Sequence, residues 1–225
     1  PHDGTPDATG WNKLQNEVLT AVREQDPERI VFVPAMGWQD YNYIKYARVA
    51  EEDPNAVVSF HYYLPMLLSH YKMLAWVGYQ GAVQYPGVVI PTQSDADKYP
   101  QYASFHKTTY NADRIMGEMS NAASDGRNAG LAVHCGEFGC SKNVAEAMRL
   151  AWFTDMVAAM EANNIPWTLW ECLDGGFGFV DMEYGIYRIN CPLLKVLTGK
   201  ELTDAEAKAL LQLSLIHISE PTRHS

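Results

Sequence analysis

The sequence predicts an α/β fold built on parallel strands, and three observations carry that expectation. Four short apolar runs alternate with segments of helical periodicity. The 225 residues are 47% hydrophobic and 20% charged, the balance of one soluble globular domain. Each run ends in polar or aromatic side chains, with no Gly-rich phosphate loop behind it. Strand–helix alternation with right-handed crossovers allows a doubly wound sheet or a (β/α)8 barrel. Polar side chains at the C-terminal ends of several strands are the habit of barrel enzymes. Four strands cannot close a barrel of eight, so on the barrel reading the chain is its second half.

Each element has its own signal. Trp11, Leu14, Val18 and Val22 fall three and four apart, which puts one apolar stripe on a helix that Asp26-Pro27 ends. Arg29 to Ala35 is a short β-branched run, read as a strand buried on both faces of a parallel sheet. Ala56 to Tyr63 is the second such run. A helix around Tyr102 to Ser120 precedes the third, Gly130 to Phe138, and a helix from Val144 to Asn163 leads into the fourth, Pro166 to Cys172. Thr203 with Glu206 three residues on fits a capping box, opening a last helix to Gln212.

Composition narrows the function classes. With 27 acidic against 17 basic side chains, the net charge of -10 repels phosphate backbones, and no basic stripe offsets it, so nucleic acid is not expected as a partner. No apolar run approaches the roughly 18 to 20 residues of a membrane span. Cys135, Cys140, Cys172 and Cys191 show no Cys-x-x-Cys spacing and are read as buried free thiols. The histidines are dispersed and no paired-His helix appears, so no metal is expected. Six Trp, 13 Tyr and seven Phe suit a large core or a surface that stacks flat apolar faces.

Strand parity locates a candidate site. Side chains alternate across a strand, so Val57, Ser59, His61 and Tyr63 share one face of the second run. The same parity aligns Val133, Cys135 and Glu137 on the third, and Thr168, Trp170 and Cys172 on the fourth. It turns His134 away from Glu137, and Glu171 away from Trp170. If the first set of faces looks into a barrel, one mouth collects His61, Tyr63, Glu137 and Trp170. Gly136 and Gly139 flank Glu137-Phe138, where a missing side chain permits close approach. A carboxylate in that setting, with Tyr and His as donors, can be held ionised and oriented as a nucleophile. Trp170 offers a flat surface for the C–H face of a sugar ring. Trp76, Tyr79 and the Tyr99 to Tyr102 region lie after His61, on the catalytic face of a barrel, where they are candidates for more distant sugar subsites.

These residues carry a family resemblance. Gly37-Trp38, then Phe60-His61-Tyr62-Tyr63, then Gly136-Glu137-Phe138-Gly139, then Trp167-Thr-Leu-Trp170-Glu171 with Gly175-Gly-Phe-Gly178 resemble, in order, the second half of a glycoside hydrolase family 5 catalytic domain, over about residues 1 to 200. The resemblance implies the C-terminal half of a (β/α)8 barrel with about four β/α units. It also implies a retaining endo-β-glycosidase with Glu137 as nucleophile and with no metal or organic cofactor. His61 and Tyr63 would bind substrate and orient Glu137, and Trp170 would line the subsite beside the scissile bond. The substrate implied is a β-linked polysaccharide met outside the cell by a monomer, with no nucleic acid or membrane partner. A noncatalytic carbohydrate-binding protein on the same barrel is the alternative.

Both ends bear on that expectation. Pro1-His2-Asp3 resembles the residues directly after the acid/base Glu in the family's Asn-Glu-Pro motif, so that Glu is expected to precede Pro1. Leu213 to Arg223 resembles an in-frame translation of a transposase adaptor from short-read sequencing. The catalytic part is therefore read as residues 1–212 and the tail, 213–225, as artefactual. A retaining mechanism needs two carboxyls, and general acid–base assistance is worth roughly 10² to 10⁴ in rate. The purified 225-residue chain is accordingly expected to be inactive and to fold poorly; measurable release of reducing ends from a soluble β-glucan contradicts this.

Overall fold

The computed structural model describes residues 7–49, 53–73, 78–173, 175–183 and 186–219. The four apolar runs form one parallel sheet of β1 (Val31–Pro34), β2 (Ala56–Tyr62), β3 (Ala132–Phe138) and β4 (Trp167–Leu169), in that spatial order. Helix α1 (Ala8–Gln25) precedes the sheet, and α2 (Ala112–Asn128) and α3 (Glu146–Ala162) form the crossovers before β3 and β4. Asp7 caps α1 by accepting from the Thr9 amide at 3.0 Å. Strand order equal to chain order, with a helix in each later crossover, is the pattern of consecutive β/α barrel units.

The chain divides into two compact units. The first, residues 1–63, 112–138 and 158–168, holds the sheet. Its register pairs Val33 with Val58, Val58 with Val133 and Phe60 with Cys135, so these residues share one side. All are at most 9% exposed, buried with Leu19 of α1 and Ile115, Met119, Ala122 and Ala123 of α2. The opposite side stays open: Phe32 is 53% exposed, and Ala132 and Thr168 are exposed. The expectation that β1 is buried on both faces is corrected: an apolar run four residues long cannot report whether a second layer covers it.

Gly126 shows how closely α2 rides on the sheet. A Cβ there would lie 2.3 Å from Val133 Cγ1 and 3.0 Å from the Leu131 carbonyl oxygen.

The second unit comprises residues 64–111, 139–157 and 169–225. Trp152, Phe153 and Met156 of α3 are fully buried in it, and Trp152 Nε1 donates to the Leu64 carbonyl at 3.0 Å. An antiparallel hairpin of β5 (Val180–Glu183) and β6 (Ile186–Ile189) leads to α4 (Cys191–Thr198) and α5 (Asp204–Ser219). Asn190 caps α4, and Gly199 closes it at φ 70°. The expected capping box is present: the Thr203 amide donates to Glu206 Oε2 at 2.8 Å and the Glu206 amide to Thr203 Oγ1 at 3.3 Å. The helix it opens runs past Gln212 to Ser219.

Other boundaries are corrected. The helix expected around Tyr102 to Ser120 splits into a 3₁₀ segment, Pro100–Lys107, a two-residue strand, Thr109–Tyr110, and α2. Two of the four cysteines, Cys135 and Cys140, are buried thiols, whereas Cys172 is exposed and Cys191 half-buried; all four are free. Tyr79, a candidate for a sugar subsite, is a core residue 2% exposed, donating to the Ala82 carbonyl at 2.6 Å and packed on Tyr99. Tyr99 and Tyr102 are half-buried in that cluster. Trp76 lies outside the described residues, as do Pro1-His2-Asp3 and residues 220–225. No described helix is long and apolar enough to cross a membrane.

Gly126→Ala tests the α2 contact by sign. In an open helix, Ala for Gly stabilises by about 1 kcal/mol. Here the added methyl meets Val133, and urea denaturation should show a net loss of about 1–3 kcal/mol.

Candidate active site

The site forms at the C-terminal ends of β2 and β3. Their register runs in step from Val57 and Ala132 to Phe60 and Cys135, then shifts, so that His61 pairs with Glu137 and Gly136 is the extra residue. This one-residue bulge reverses the parity of β3. Cys135 is fully buried on the helical side, Glu137 turns to the open side beside His61, and Phe138 returns to the core with its ring against Trp167 at 5.3 Å. The expected alignment of Glu137 with Val133 and Cys135 is therefore corrected. So is the placement of His134, which shares the open side with Glu137, its ring 4.7 Å from Phe32 and its Nε2 3.1 Å from Thr168 Oγ1. Gly136 fits the bulge because a Cβ there would stand 2.4 Å from Ser59 Oγ.

Tyr63 Oη donates to Glu137 Oε2 at 2.9 Å, and His61 Nδ1 stands 3.4 Å from the same oxygen. The sequence-predicted His61, Tyr63 and Glu137 thus meet at one carboxylate oxygen. The His61 and Glu137 side chains keep 21% and 27% of their accessible surface, enough for a ligand to reach them. Burial pushes the His61 pKa below its ordinary value against the opposing pull of Glu137, which favours a neutral imidazole near neutral pH. Between His61 and Tyr63, Tyr62 points the other way, fully buried, and donates to Glu118 of α2. Arg114 bonds the other oxygen of Glu118 at 3.1 Å, and the Tyr41 ring lies 5.6 Å from that of Tyr62. Tyr62 anchors the strand end from behind.

Sequence reasoning missed two features. After β1 the chain takes three consecutive left-handed residues, Gly37, Trp38 and Gln39, at φ 66°, 58° and 61°. For the two with side chains this conformation costs roughly 1–2 kcal/mol each. The turn leaves Trp38 96% exposed and returns the chain so that Asp40 bridges to His61, beside the carboxylate. Gly37 is required there, since a Cβ would stand 2.6 Å from the Tyr43 ring. The Gly37-Trp38 pair was visible in the sequence, but the backbone that displays the indole was not. The Tyr62–Glu118 anchor had no sequence signal beyond its residue types.

Trp170 and Glu171 lie in the second unit, past the end of β4 at Leu169, so strand parity does not reach them. Trp170 is 45% exposed. Glu171 is half-buried, with Oε1 enclosed beside Gly175 and without a hydrogen-bond partner among the described residues. No group of three or more His, Cys, Asp or Glu side chains among the described residues could hold a metal ion.

Comparison with known proteins agrees with the motif order. The family model for Cellulase (glycosyl hydrolase family 5) matches residues 1–176. The chain belongs to glycosyl hydrolase family 5. Endoglucanase C of Acetivibrio thermocellus and Endoglucanase C307 of Clostridium sp. (strain F1) are each 25% identical to it over 190 residues, which cover 81% of this chain and 52% of theirs. Among solved structures, one titled endoglucanase aligns with a TM-score of 0.66 at 22% identity, over 86% of this chain and 55% of its own. A hyperthermophilic endo-beta-1,4-glucanase in complex with substrate gives 0.66 at 24%, over 85% and 55%. This family 5 chain thus spans about half the length of these relatives, and its fold is that of a partial (β/α)8 barrel.

Burial also depresses the pKa of His70 and His134. A histidine whose folded pKa lies below its unfolded value, near 6.5, contributes stability above that pH and loses it as pH falls through the folded value. Stability measured by urea denaturation should therefore fall between pH 7 and pH 5, above the range where carboxylates titrate. His61→Gln should make that fall shallower. A rise in stability over the same window would show instead that a charged His61–Glu137 pair dominates.

Proposed function

We propose that this chain carries the nucleophile half of a retaining endo-β-glycosidase acting on a β-linked polysaccharide of cellulose or β-glucan type. The observation that supports this reading best is the Glu137 carboxylate at the end of a parallel strand, bonded by Tyr63 and flanked by His61, in a family 5 chain. Tyr63 fixes one oxygen and leaves the other to attack the anomeric carbon. That attack forms a glycosyl ester as the leaving oxygen departs, and water then cleaves the ester. Neutral His61 adds a polar contact without a positive charge to compete for the carboxylate. Trp38 in the first unit and Trp170 in the second each expose a flat apolar face of the kind on which sugar rings stack.

The second carboxyl of a retaining pair lies about 5 to 5.5 Å from the nucleophile and protonates the leaving group. We assign that role to the Glu of the family's Asn-Glu-Pro motif, and propose that the 225 residues alone do not turn over a natural polymer. A polysaccharide is too large to be taken up intact, which supports a reaction outside the cell.

An activated substrate tests the nucleophile without the missing acid. A 2-deoxy-2-fluoro-β-cellobioside with a dinitrophenolate leaving group needs no protonation to depart. Incubation with the chain should release dinitrophenolate and leave one fluorocellobiosyl ester, which peptide mass spectrometry should place on Glu137. Glu137→Gln should abolish labelling and leave cello-oligosaccharide binding within about twofold. Binding without labelling would favour a noncatalytic carbohydrate-binding protein; labelling elsewhere would remove Glu137 from the role.

A further inference from the structure

Arg149 of α3 is 4% exposed, and among the described residues it forms no ion pair with a carboxylate. Its hydrogen bonds go instead to backbone. Nε donates to the Cys140 carbonyl at 2.8 Å, and Nη2 to the carbonyls of Phe177 and Gly178, the latter at 2.8 Å. Its guanidinium also lies 5.4 Å from the centre of the Phe153 ring. Burial presses its pKa below the ordinary arginine value. Asp181 and Glu146 offset that burial only through space, with no direct ion pair, and a buried arginine committed to three carbonyls is shaping the loops that own them.

Those loops enclose the segment that starts at Trp170. At its start stands Gly139, next to Cys140, where a Cβ would come within 2.3 Å of the Trp170 carbonyl oxygen and 3.0 Å of the Phe177 ring. Two residues further along the segment stands Gly178, where a Cβ would come within 2.4 Å of the Cys172 carbonyl oxygen, and the Val180 amide donates to that oxygen at 3.0 Å. The segment Trp170 to Cys172 thus runs against two backbone walls, one at the Trp170 carbonyl and one at the Cys172 carbonyl. Among the described residues Arg149 is the one side chain that bonds both, Cys140 on the first and Phe177-Gly178 on the second. Lys142 adds to the seam: its amide donates to the Gly176 carbonyl at 2.8 Å and its ammonium to the Val180 carbonyl at 2.8 Å.

We infer that Arg149 is a positioning residue for sugar binding: it clamps the two backbone walls that aim Trp170, and so controls how well the exposed indole stacks on a β-linked glucose unit. The inference rests on the reading of Trp170 as a stacking residue. Arginine suits the task because its planar fork reaches carbonyls in several directions, which a lysine ammonium cannot do from one position.

The test is a double-mutant cycle on the 225-residue chain, titrated with cellotetraose by isothermal calorimetry, with hydrogen exchange on the same proteins. Arg149→Met and Trp170→Ala should each weaken affinity by roughly three- to tenfold, the size of one aromatic contact. The double variant should lose no more than Trp170→Ala alone. Hydrogen exchange in Arg149→Met should speed up over residues 170–180 and stay unchanged over 132–138. Unchanged affinity in Arg149→Met, or losses that multiply in the double variant, would overturn the inference, since a merely structural role does not route its effect through Trp170. If Arg149→Met fails to fold, Arg149→Lys, which keeps the charge and loses the fork, is read in the same cycle with the same criteria. If the parent chain binds no cellotetraose, the sugar-binding reading fails. The clamp then stands or falls on whether exchange over 170–180 quickens.

Discussion

The extra residue at Gly136 is the constraint on which the candidate site depends. Without it, strict alternation along β3 would send the Glu137 carboxylate to the helical side, where Cys135 is sealed from solvent. One inserted residue turns the acid to the open side, brings it level with His61 and puts it in reach of the Tyr63 hydroxyl. The next residue, Phe138, swings back into the core against Trp167, so the bulge exposes one side chain and restores the packing immediately afterwards. Glycine suits that point, because a methyl there would meet the Ser59 hydroxyl and force it to move.

Around this constraint the molecule divides its labour by sheet face. The helical side is a close-packed apolar layer in which even backbone glycine, at 126, counts as a contact surface. The open side carries the polar groups. Between the two, Tyr62 acts as a rivet: its ring is fully buried, its hydroxyl is held by Glu118, and its neighbours on either side in sequence are the two residues that meet Glu137. Displaying Trp38 costs left-handed backbone at two residues with side chains. Such local strain persists where surrounding structure over-determines it, here through Tyr43 beneath Gly37 and the Asp40 bridge to His61.

Much of this was legible in the residues. The four apolar runs became the four parallel strands, because short β-branched segments between helical periodicities have few other places to go. The cap at Thr203 formed as its spacing required, since a capping box is closed by residues three apart and needs nothing distant. His61 and Tyr63 point together because β2 keeps its alternation up to the site. Errors arose where local pattern was extrapolated through an irregularity. Parity failed at Gly136, misplacing His134 and the partner face of Glu137. It failed again past Leu169, where the chain leaves the sheet before Trp170. The long aromatic segment misled for another reason: Tyr79 reads the same whether its ring lines a cleft or fills a core, and only burial distinguishes the two.

Fold class, family and the residue types that meet at the carboxylate were readable from the residues alone, because these rest on local periodicity and on motifs a few residues long. Tertiary structure decided which face each side chain occupies and how close the groups come, because a bulge is defined by the register of two strands separated by roughly 70 residues. It also decided which buried groups hold the loops, as Arg149 does with carbonyls 9, 28 and 29 residues away. Those contacts have no signature in any single segment, since both partners are ordinary until the fold brings them together.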